Sequence, residues 1–297
     1  MDASARKIFE WYEKNKRDLP WRRTTDAYRI FISELMLQQT QVDRVVVLYT
    51  TFIKTFPTWK KLSEAKTDKL IHGWAGLGYN RRALFAREAA RNVVSNGIGT
   101  DEVSWRKLKG VGPYMASSLT AFVNHKPALV IDTNIRRVIG RIYAKLSYPK
   151  PSDDQRIKKI LGRIQPSTID PAIFPQALMD LGSAICTARQ PRCEICPVRD
   201  TCLSSKSFQS KNPPIPPKRQ ITERIHSEKK YPDRIYRGRI LACLREKTTI
   251  LINEYLGTFI DPTFDPIADA DWLRAMCERM MKDGLVEMRN GKLRLPK

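Results

Sequence analysis

Four cysteines crowded into one short segment constrain this chain more than any other feature of its sequence. Cys186, Cys193, Cys196 and Cys202 are separated by six, two and five residues. Thiolates are soft ligands, and four of them at such a spacing are typical of an iron–sulfur cluster or a zinc site. The segment 186–202 is therefore predicted to form a loop around a metal centre.

Disulfides and a zinc site are the two alternatives to a cluster for these cysteines. Disulfides are disfavoured, because no signal-peptide pattern opens the chain and intracellular proteins rarely keep structural disulfides. Zinc is the stronger alternative, since Cys-x2-Cys pairs are common in zinc sites, but the 6-2-5 spacing is not a usual zinc-finger spacing. The spacing favours a cluster. Cys243 and Cys277 lie far away and are interpreted as ordinary thiols.

The chain is strongly basic. Of its 297 residues, 53 are Lys or Arg and 31 are Asp or Glu, which gives a formal net charge of +22. A polyanion is therefore the expected partner. A membrane is not expected, because the basic residues are dispersed and no apolar run approaches the ~20 residues that span a bilayer.

The hydrophobic pattern predicts helices almost everywhere before the cysteine segment, separated by Gly and Pro. A polar, proline-rich stretch at 204–233 predicts a linker, and the sequence beyond it predicts two helices and a hairpin turning at Asn290–Gly291. No internal repeat and no pattern of a large sheet is found. The predicted helices span 2–16, 27–38, 41–55, 58–64, 67–74, 80–96, 101–107, 113–124, 133–146, 153–164, 170–185, 234–247 and 270–284.

The segment Leu108–Tyr114 joins two of these helices and contains a Gly-x-Gly-Pro sequence. Gly110 and Gly112 let the backbone turn tightly and expose N–H groups, and Pro113 suits the first turn of the following helix. Exposed N–H groups at a helix N-terminus bind anions such as a DNA phosphate. The alternative is an ordinary helix connection, since Gly-x-Gly alone is a weak motif.

Two acidic residues are candidates for catalysis. Asp132 follows an apolar run and precedes a helix, so it is a helix N-cap, a carboxylate held beside a developing positive charge, or both. Glu34 shares a helix face with apolar residues. Burial there would favour the protonated form that a general acid needs, whereas a place at the rim of the face would leave its carboxylate in water.

Three further motifs resemble those of a known family. They are Leu19–Arg22 (LPWR), Ser33–Gln41 (SELMLQQTQ) and Gly76–Arg81 (GLGYNR). With the cysteine segment, they resemble MutY-type A/G-specific adenine DNA glycosylases, which belong to the helix-hairpin-helix (HhH-GPD) superfamily together with endonuclease III. The resemblance covers residues 7–202. Endonuclease III relatives carry a lysine nucleophile where this chain has Tyr114, so the resemblance implies a monofunctional glycosylase.

The resemblance implies that a flipped adenine is excised by two carboxylates. Glu34 would protonate the purine at N7, and Asp132 would stabilise the cationic sugar. Asn80 replaces a second aromatic residue that usually follows Tyr79 in this family. The resemblance also implies that Tyr114 and Asn134 support the sugar and the catalytic Asp, and that Trp21, Arg22 and Gln176 form the pocket wall. Gln39, Thr40 and Tyr79 would wedge into the DNA, and Gly110 and Gly112 would bind a phosphate. A [4Fe-4S] cluster would be ligated by Cys186, Cys193, Cys196 and Cys202.

The implied fold is an all-α, two-lobed helix-hairpin-helix glycosylase with a four-cysteine iron–sulfur loop and a small C-terminal winged-helix-like domain. The last region is too short for the Nudix-like domain usual in the family, which puts strict 8-oxoguanine recognition in doubt. The predicted domains are an N-terminal helix that packs on the cluster lobe (1–24), a helical lobe with the helix-hairpin-helix (25–130), a second lobe with the iron–sulfur loop (131–205), a linker (206–233) and the winged-helix-like domain (234–297).

The expected partner is double-stranded DNA that contains a mispair, bound by a monomeric cytoplasmic enzyme that is nucleoid-associated in a bacterium or archaeon. Two alternative functions are considered. A thymine or uracil mismatch glycosylase of the same superfamily is compatible with Tyr114, although the run Gln38-Gln39-Thr40 favours adenine. A non-catalytic DNA-binding protein is disfavoured by the presence of both Glu34 and Asp132.

Overall fold

The computed structural model describes residues 2–217, 225–226 and 229–297, and helices dominate them. The predicted all-α fold class is confirmed, and the helices agree closely with those predicted. None of the helices in the described ranges has the length and apolar character needed to cross a bilayer. Before residue 217 the helices are α1 (Ala3–Asn15), α2 (Ala27–Leu37), α3 (Val42–Thr55), α4 (Trp59–Ser63), α5 (Thr67–Gly73), α6 (Arg81–Asn96), α7 (Glu102–Arg106), α8 (Pro113–Phe122), α9 (Thr133–Ala144), α10 (Asp154–Ile164), α11 (Ile173–Ala184) and α12 (Ser205–Phe208).

Side-chain caps fix the starts of several helices. The Asp2 carboxylate accepts hydrogen bonds from the backbone N–H groups of Ser4 and Ala5, each at 3.0 Å. Asp101 and Ser104 form a reciprocal capping box at the start of α7. Such caps are stabilising because the first N–H groups of a helix have no partner within the helix. These helix starts are therefore determined locally.

The first compact unit comprises Met1–Ile30, Gly99–Lys107 and Val111–Arg219. In it, α9 packs on α10 and α11, α1 packs on α11, and α7 packs on α8. A Cβ atom on Gly182 of α11 would lie 2.7 Å from the Cβ of Asn134, so only glycine permits the close approach of α9 and α11. Fully buried side chains of this core include Ile8, Trp105, Leu119, Ile135, Val138 and Leu181.

The second compact unit comprises Phe31–Ile98, Leu108–Gly110 and Gln220–Lys297. The chain enters it within α2, and there α4 and α5 pack on α6 while α3 packs on α5. The rings of Phe52 and Trp74 meet edge to face with centroids 5.5 Å apart. Other fully buried side chains include Phe31, Leu62, Leu70 and Ala86.

The C-terminal part of the second unit has the element order of a winged helix. Its three strands form an antiparallel sheet in the order β1-β3-β2, and the hairpin turns at Asn290 and Gly291, both with positive φ. The sequence analysis missed β1 and α14, which are both short. The elements are α13 (Asp233–Glu246), β1 (Thr249–Ile250), α14 (Glu254–Ile260), α15 (Ala270–Lys282), β2 (Glu287–Arg289) and β3 (Lys292–Arg294).

The stretch predicted as a linker contains ordered positions at both ends. Near its start lies α12, and near its end Lys229 is buried, with its Nζ 3.0 Å from Asp261 and 2.6 Å from Asp269. A buried cation between two carboxylates is a structural contact of the winged-helix-like domain. Residues 218–224 and 227–228 of the same stretch lie outside the described residues.

Candidate active site

Glu34 lies on α2 among fully buried apolar residues. Its exposed fraction is 6%, while Phe31 and Leu35 beside it are 0% exposed. The side chain is therefore removed from water instead of standing at the rim of the helix face. Such a place deep in the helix face is what the predicted role of Glu34 requires.

Arg82 on α6 organises the chain that follows Glu34. Its Nη1 donates to the carbonyl oxygens of Leu35 at 2.9 Å and Met36 at 2.8 Å, at the C-terminal end of α2. Its Nη2 donates to Leu77 O at 3.0 Å and to Thr40 Oγ1 at 3.0 Å. Burial lowers the pKa of Arg82 to about 10, so the side chain stays cationic at neutral pH. This cation complements the negative end of α2 and ties two loops together.

We call these two loops, residues 37–40 and 76–81, the wedge loops. Gln39 has φ 57° and Tyr79 has φ 43°, backbone angles that residues other than glycine rarely adopt. Thr40 Oγ1 donates to Leu77 O at 3.2 Å and so links one loop to the other. The structure thus brings Gln39, Thr40 and Tyr79 together in the second unit, in a backbone held by Arg82.

The two glycines of the Gly-x-Gly-Pro segment differ in what they require. Gly110 has φ +82°, and a Cβ on it would lie 3.1 Å from the Cβ of Phe85. Its carbonyl oxygen accepts a hydrogen bond from Gln38 Nε2 at 3.2 Å. Gly112 has φ −85°, and a Cβ there would meet no atom within 4 Å. Gly110 is therefore required by the fold, whereas Gly112 leaves open space beside the first turn of α8, where Tyr114 also lies.

Asp132 is the N-cap of α9, in the first unit. Its Oδ1 accepts from the backbone N–H of Ile135 at 2.6 Å, and its Oδ2 accepts from Asn134 Nδ2 at 2.7 Å. Burial raises the pKa of Asp132 above its ordinary value, while these hydrogen bonds and the charge of Arg137 oppose the rise. The cap and the functional interpretation are compatible, because the cap fixes both carboxylate oxygens.

Arg137 connects the neighbourhood of Asp132 to the cysteine loop. Its Nη2 donates to Asn134 Oδ1 and to Gly182 O, each at 2.8 Å, and its Nε donates to the carbonyl oxygen of Cys186 at 2.7 Å. Asn134 therefore receives one hydrogen bond from Arg137 and gives another to Asp132. The orientation of the Asp132 carboxylate depends on this chain of contacts.

Of the three residues predicted to wall the base pocket, Arg22 contacts α11 and Gln176 lies on it. Arg22 binds the buried Asp180 through two hydrogen bonds, of 2.8 and 2.9 Å, and Arg17 Nε adds a third at 2.7 Å. Burial by itself raises the pKa of Asp180, but the hydrogen bonds and charges of Arg22 and Arg17 outweigh this effect. The pKa of Asp180 is therefore below its ordinary value. Gln176, on the same helix, accepts from the Tyr12 hydroxyl at 2.9 Å. Trp21 is buried beside Arg22 in the sequence.

The four cysteines of 186–202 line one largely apolar cavity. Four thiols around one shared cavity are the ligand set of a cysteine-bound iron–sulfur cluster. Backbone N–H groups reach two of the sulfurs, from Val198 to Cys196 and from Ser204 to Cys202. Such contacts stabilise thiolate ligands.

Arg141 is the buried residue that shapes the loop. It is 1% exposed, and it donates to Thr187 O at 2.7 Å and to Ala188 O at 2.9 Å. Its guanidinium lies 4.2 Å from the ring centroid of Phe208. Burial raises the pKa of the Cys196 thiol to about 12, so a thiolate there needs positive charge, which a bound iron centre provides.

The sequence analysis did not single out Arg82, Arg137 or Arg141. In a chain with 53 Lys and Arg, a buried arginine has no compositional signal. Arg141 could have been predicted as a buried arginine, because it lies on the apolar face of α9 and a charge there must find partners. Glu34 belongs to the second unit and Asp132 to the first.

Comparison with known proteins agrees with this geometry. The model of the HhH-GPD superfamily of base excision DNA repair proteins matches residues 32–166, and that of the iron-sulfur binding domain of endonuclease III matches residues 186–202. A solved thermostable thymine-DNA glycosylase has a TM-score of 0.63 and 26% identity, over 68% of this chain and 94% of its own. A trapped endonuclease III–DNA covalent intermediate has a TM-score of 0.61 at 18% identity, over 70% of this chain and 96% of its own, and shows the shared fold.

These features define a helix-hairpin-helix DNA glycosylase, a hydrolase of N-glycosyl bonds in base excision repair, and its cofactor is a [4Fe-4S] cluster. The adenine DNA glycosylase of Mycolicibacterium smegmatis is 32% identical over 300 residues, which are 97% of this chain and 94% of that relative. The chain belongs to the adenine DNA glycosylase family. The match to this chain covers only 35–42% of the length of four other adenine DNA glycosylases, which are longer proteins.

Proposed function

We propose that this enzyme removes adenine paired with guanine or 8-oxoguanine in double-stranded DNA, by hydrolysis after the base is flipped out. The observation that carries the proposal is the presence, in a chain of this family, of Glu34 as a buried acid and Asp132 as a hydrogen-bonded carboxylate. Environments that keep one acid protonated and another ionised are what two-carboxylate glycoside chemistry requires.

In the proposed mechanism, Glu34 donates its proton to N7 of the flipped adenine. The glycosidic bond breaks, its electron pair leaves with the base, and the sugar becomes an oxocarbenium ion. The Asp132 anion stabilises this cation while Asn134 and the Ile135 N–H hold the carboxylate in place. Water then adds to the sugar carbon, and the Glu34 carboxylate accepts the released proton.

The remaining predicted site residues have proposed roles in binding. Tyr114 and Asn134 support the sugar and Asp132, and Gly110 and Gly112 form the phosphate-binding hairpin. Gln39, Thr40 and Tyr79 wedge into the duplex, while Trp21, Arg22 and Gln176 wall the base pocket. The [4Fe-4S] cluster, when bound by Cys186, Cys193, Cys196 and Cys202, ties the loop into the fold.

The partner, oligomeric state and location follow from the same interpretation. We propose a monomer that binds mispaired double-stranded DNA in the cytoplasm, associated with the nucleoid in a bacterium or archaeon. We also propose the domain organisation predicted from the sequence, with residues 234–297 as the winged-helix-like module.

A second candidate is excision of mispaired thymine. It is supported by the 26% identity to a thymine-DNA glycosylase and by Tyr114 in place of a lysine nucleophile. A panel of duplexes with A:G, A:8-oxoguanine, T:G and U:G pairs separates the candidates. We expect base loss from the two adenine duplexes, and excision confined to T:G or U:G would contradict the adenine proposal.

Glu34→Gln is the direct test of the mechanism. The amide cannot protonate N7, so we expect single-turnover excision to fall by about a thousandfold or more, with mispair affinity nearly unchanged. Glu64→Gln, on an exposed glutamate, is the matched control and should excise at the wild-type rate. Near wild-type excision by Glu34→Gln would refute the role of Glu34. Binding without excision by the unmodified protein would support the non-catalytic alternative instead.

A further inference from the structure

A pocket of about 250 Å³ lies in the second unit between the wedge loops and the winged-helix-like domain. On the side of the wedge loops it is lined by Gln38, Gln39 and Tyr79, and on the other side by Arg234, Arg237 and Leu285. The first group precedes the linker stretch in the chain and the second follows it. The C-terminal domain therefore completes a cavity beside the wedge residues.

Tyr79 forms the centre of this arrangement. The Arg234 guanidinium carbon is 5.3 Å from the ring centroid of Tyr79, and that of Arg82 is 5.6 Å from the same centroid. An arginine stacked on an aromatic ring keeps its plane fixed. Arg234 is itself an exposed residue, so it can meet a ligand at the pocket mouth.

The winged-helix-like domain is anchored at this place by its own charged groups. Asp283, at the end of α15, binds Arg237 of α13 and also lies 3.4 Å from Arg81 Nε. At a second contact, the backbone N–H of Asp68 donates to Pro296 O at 3.0 Å. These contacts hold the first turn of α13, which carries Arg234, beside the wedge loops.

The third helix of the domain, α15, is the helix that helix-turn-helix proteins place in the major groove, but its exposed side carries no excess of positive charge. The exposed Asp271 and Arg274 lie 3.7 Å apart as a pair, and the charges of the exposed Glu278 and Lys282 balance each other. The cation next to the wedge residues lies instead on α13.

We propose that Arg234, stacked on Tyr79, reads the base opposite the excised adenine and selects guanine. The inference rests on the proposed adenine excision. A guanine edge presents O6 and N7 as neighbouring acceptors, and the arginine fork matches them with two hydrogen bonds. In 8-oxoguanine, N7 carries a hydrogen and cannot accept, so the fork loses one of the two bonds.

A glutamine of the same pocket complements the arginine. A side-chain amide offers both donors and an acceptor, so Gln39 can adapt to the N7–H and the O8 atom of 8-oxoguanine, while the amide of Gln38 is bound to Gly110 O. Arg234 therefore raises the rate opposite guanine and contributes less opposite 8-oxoguanine. The enzyme then discriminates weakly between the two pairs, as a result of contacts from its winged-helix-like domain.

The test compares Arg234→Ala, Arg234→Lys and the control Arg274→Ala in the full chain. Single-turnover excision is measured on A:G and A:8-oxoguanine duplexes of one sequence. We expect Arg234→Ala to slow A:G excision at least tenfold more than A:8-oxoguanine excision. Arg234→Lys should show the same change in ratio, since lysine lacks the fork, and Arg274→Ala should leave the ratio unchanged.

Each other outcome overturns the proposal. Equal slowing on both duplexes would make Arg234 a phosphate contact, and an unchanged ratio would make it a pocket wall. A second measurement uses duplexes with a stable abasic analogue opposite guanine or 8-oxoguanine, where Arg234→Ala should weaken binding opposite guanine alone. That readout requires no excision, so failure of the adenine proposal in the unmodified protein is distinguished from failure of this inference.

Discussion

The cluster loop (186–202) and the wedge loops are each organised by one buried arginine, but they are stabilised differently. Arg141 donates to the carbonyl oxygens of Thr187 and Ala188, and Arg82 donates to those of Leu35, Met36 and Leu77. The cluster loop has a second tie, because its four cysteines bind the [4Fe-4S] cluster. The wedge loops are held by protein groups and contain two non-glycine residues, Gln39 and Tyr79, with left-handed backbone.

The difference shows two ways to fix an irregular backbone. A metal centre contributes ligand bonds that form as the loop folds, so such a loop depends on its cofactor. A buried cation satisfies carbonyl groups that water would otherwise solvate, and it depends only on packing. The first loop is therefore expected to fail on loss of a ligand, and the second on loss of its arginine.

Cys196→Ser is expected to have the largest effect on the cluster loop. Loss of one thiolate should abolish cluster binding and most folded protein, because the loop and its ligand fold together. Iron and sulfide content, visible absorption and yield of folded protein measure this. Cys243→Ala, at a buried thiol outside the loop, should keep iron and sulfide. A folded Cys196→Ser protein with zinc and no sulfide would contradict the cluster assignment.

Arg82→Met is the corresponding test of the wedge loops. It leaves buried carbonyl groups without donors, so we expect a loss of about 3–5 kcal/mol in the free energy of unfolding. Excision should fall with it, while iron and sulfide content in the folded fraction stays at the wild-type level. Arg91→Met, which removes one contact to Ser63 O from an exposed arginine of α6, should cost little. If both variants were equally stable, Arg82 would not be the organising residue.

Arg137→Met should have a smaller effect on the protein than the two substitutions above. Arg137 links the cluster loop to Asp132, so this variant tests whether the cluster loop influences the candidate site. We expect a fall of about 10- to 100-fold in the single-turnover rate, because Asn134 loses the contact that orients it. Arg137 lowers the pKa of Asp132, so its loss should raise that pKa. Asp132 is an anion in the proposed mechanism, so the activity of the variant should be lost at a higher pH than that of the unmodified enzyme when the pH is lowered.

The pH–rate profile checks this shift. Arg156→Met is the control, because it removes the same charge from an exposed residue of α10. That variant should retain the acid limb of the unmodified enzyme. A profile of Arg137→Met that matches the unmodified enzyme, even at reduced rate, would show that Arg137 does not tune Asp132.

Local features of the structure were predictable from the sequence because they depend on neighbours in the chain. Capping groups, helical periodicity and the Asn290–Gly291 turn indicated most elements, and the cysteine spacing indicated the cluster. Three short elements, α12, β1 and α14, were missed because a few residues carry little periodic signal. Lys229 falls in a stretch with linker composition, and its burial between Asp261 and Asp269 depends on residues more than thirty positions away.

The candidate site shows the same division. The sequence by itself determined the family motifs and the cysteine loop of the cluster, and it supplied Glu34, Asp132 and the winged-helix-like end of the chain as predictions. Only the tertiary structure decided which arginines are buried, since Arg82, Arg137 and Arg141 find their carbonyl partners on distant segments. It alone also brought Arg234 onto Tyr79, because no local pattern encodes a contact between residues that far apart in the chain.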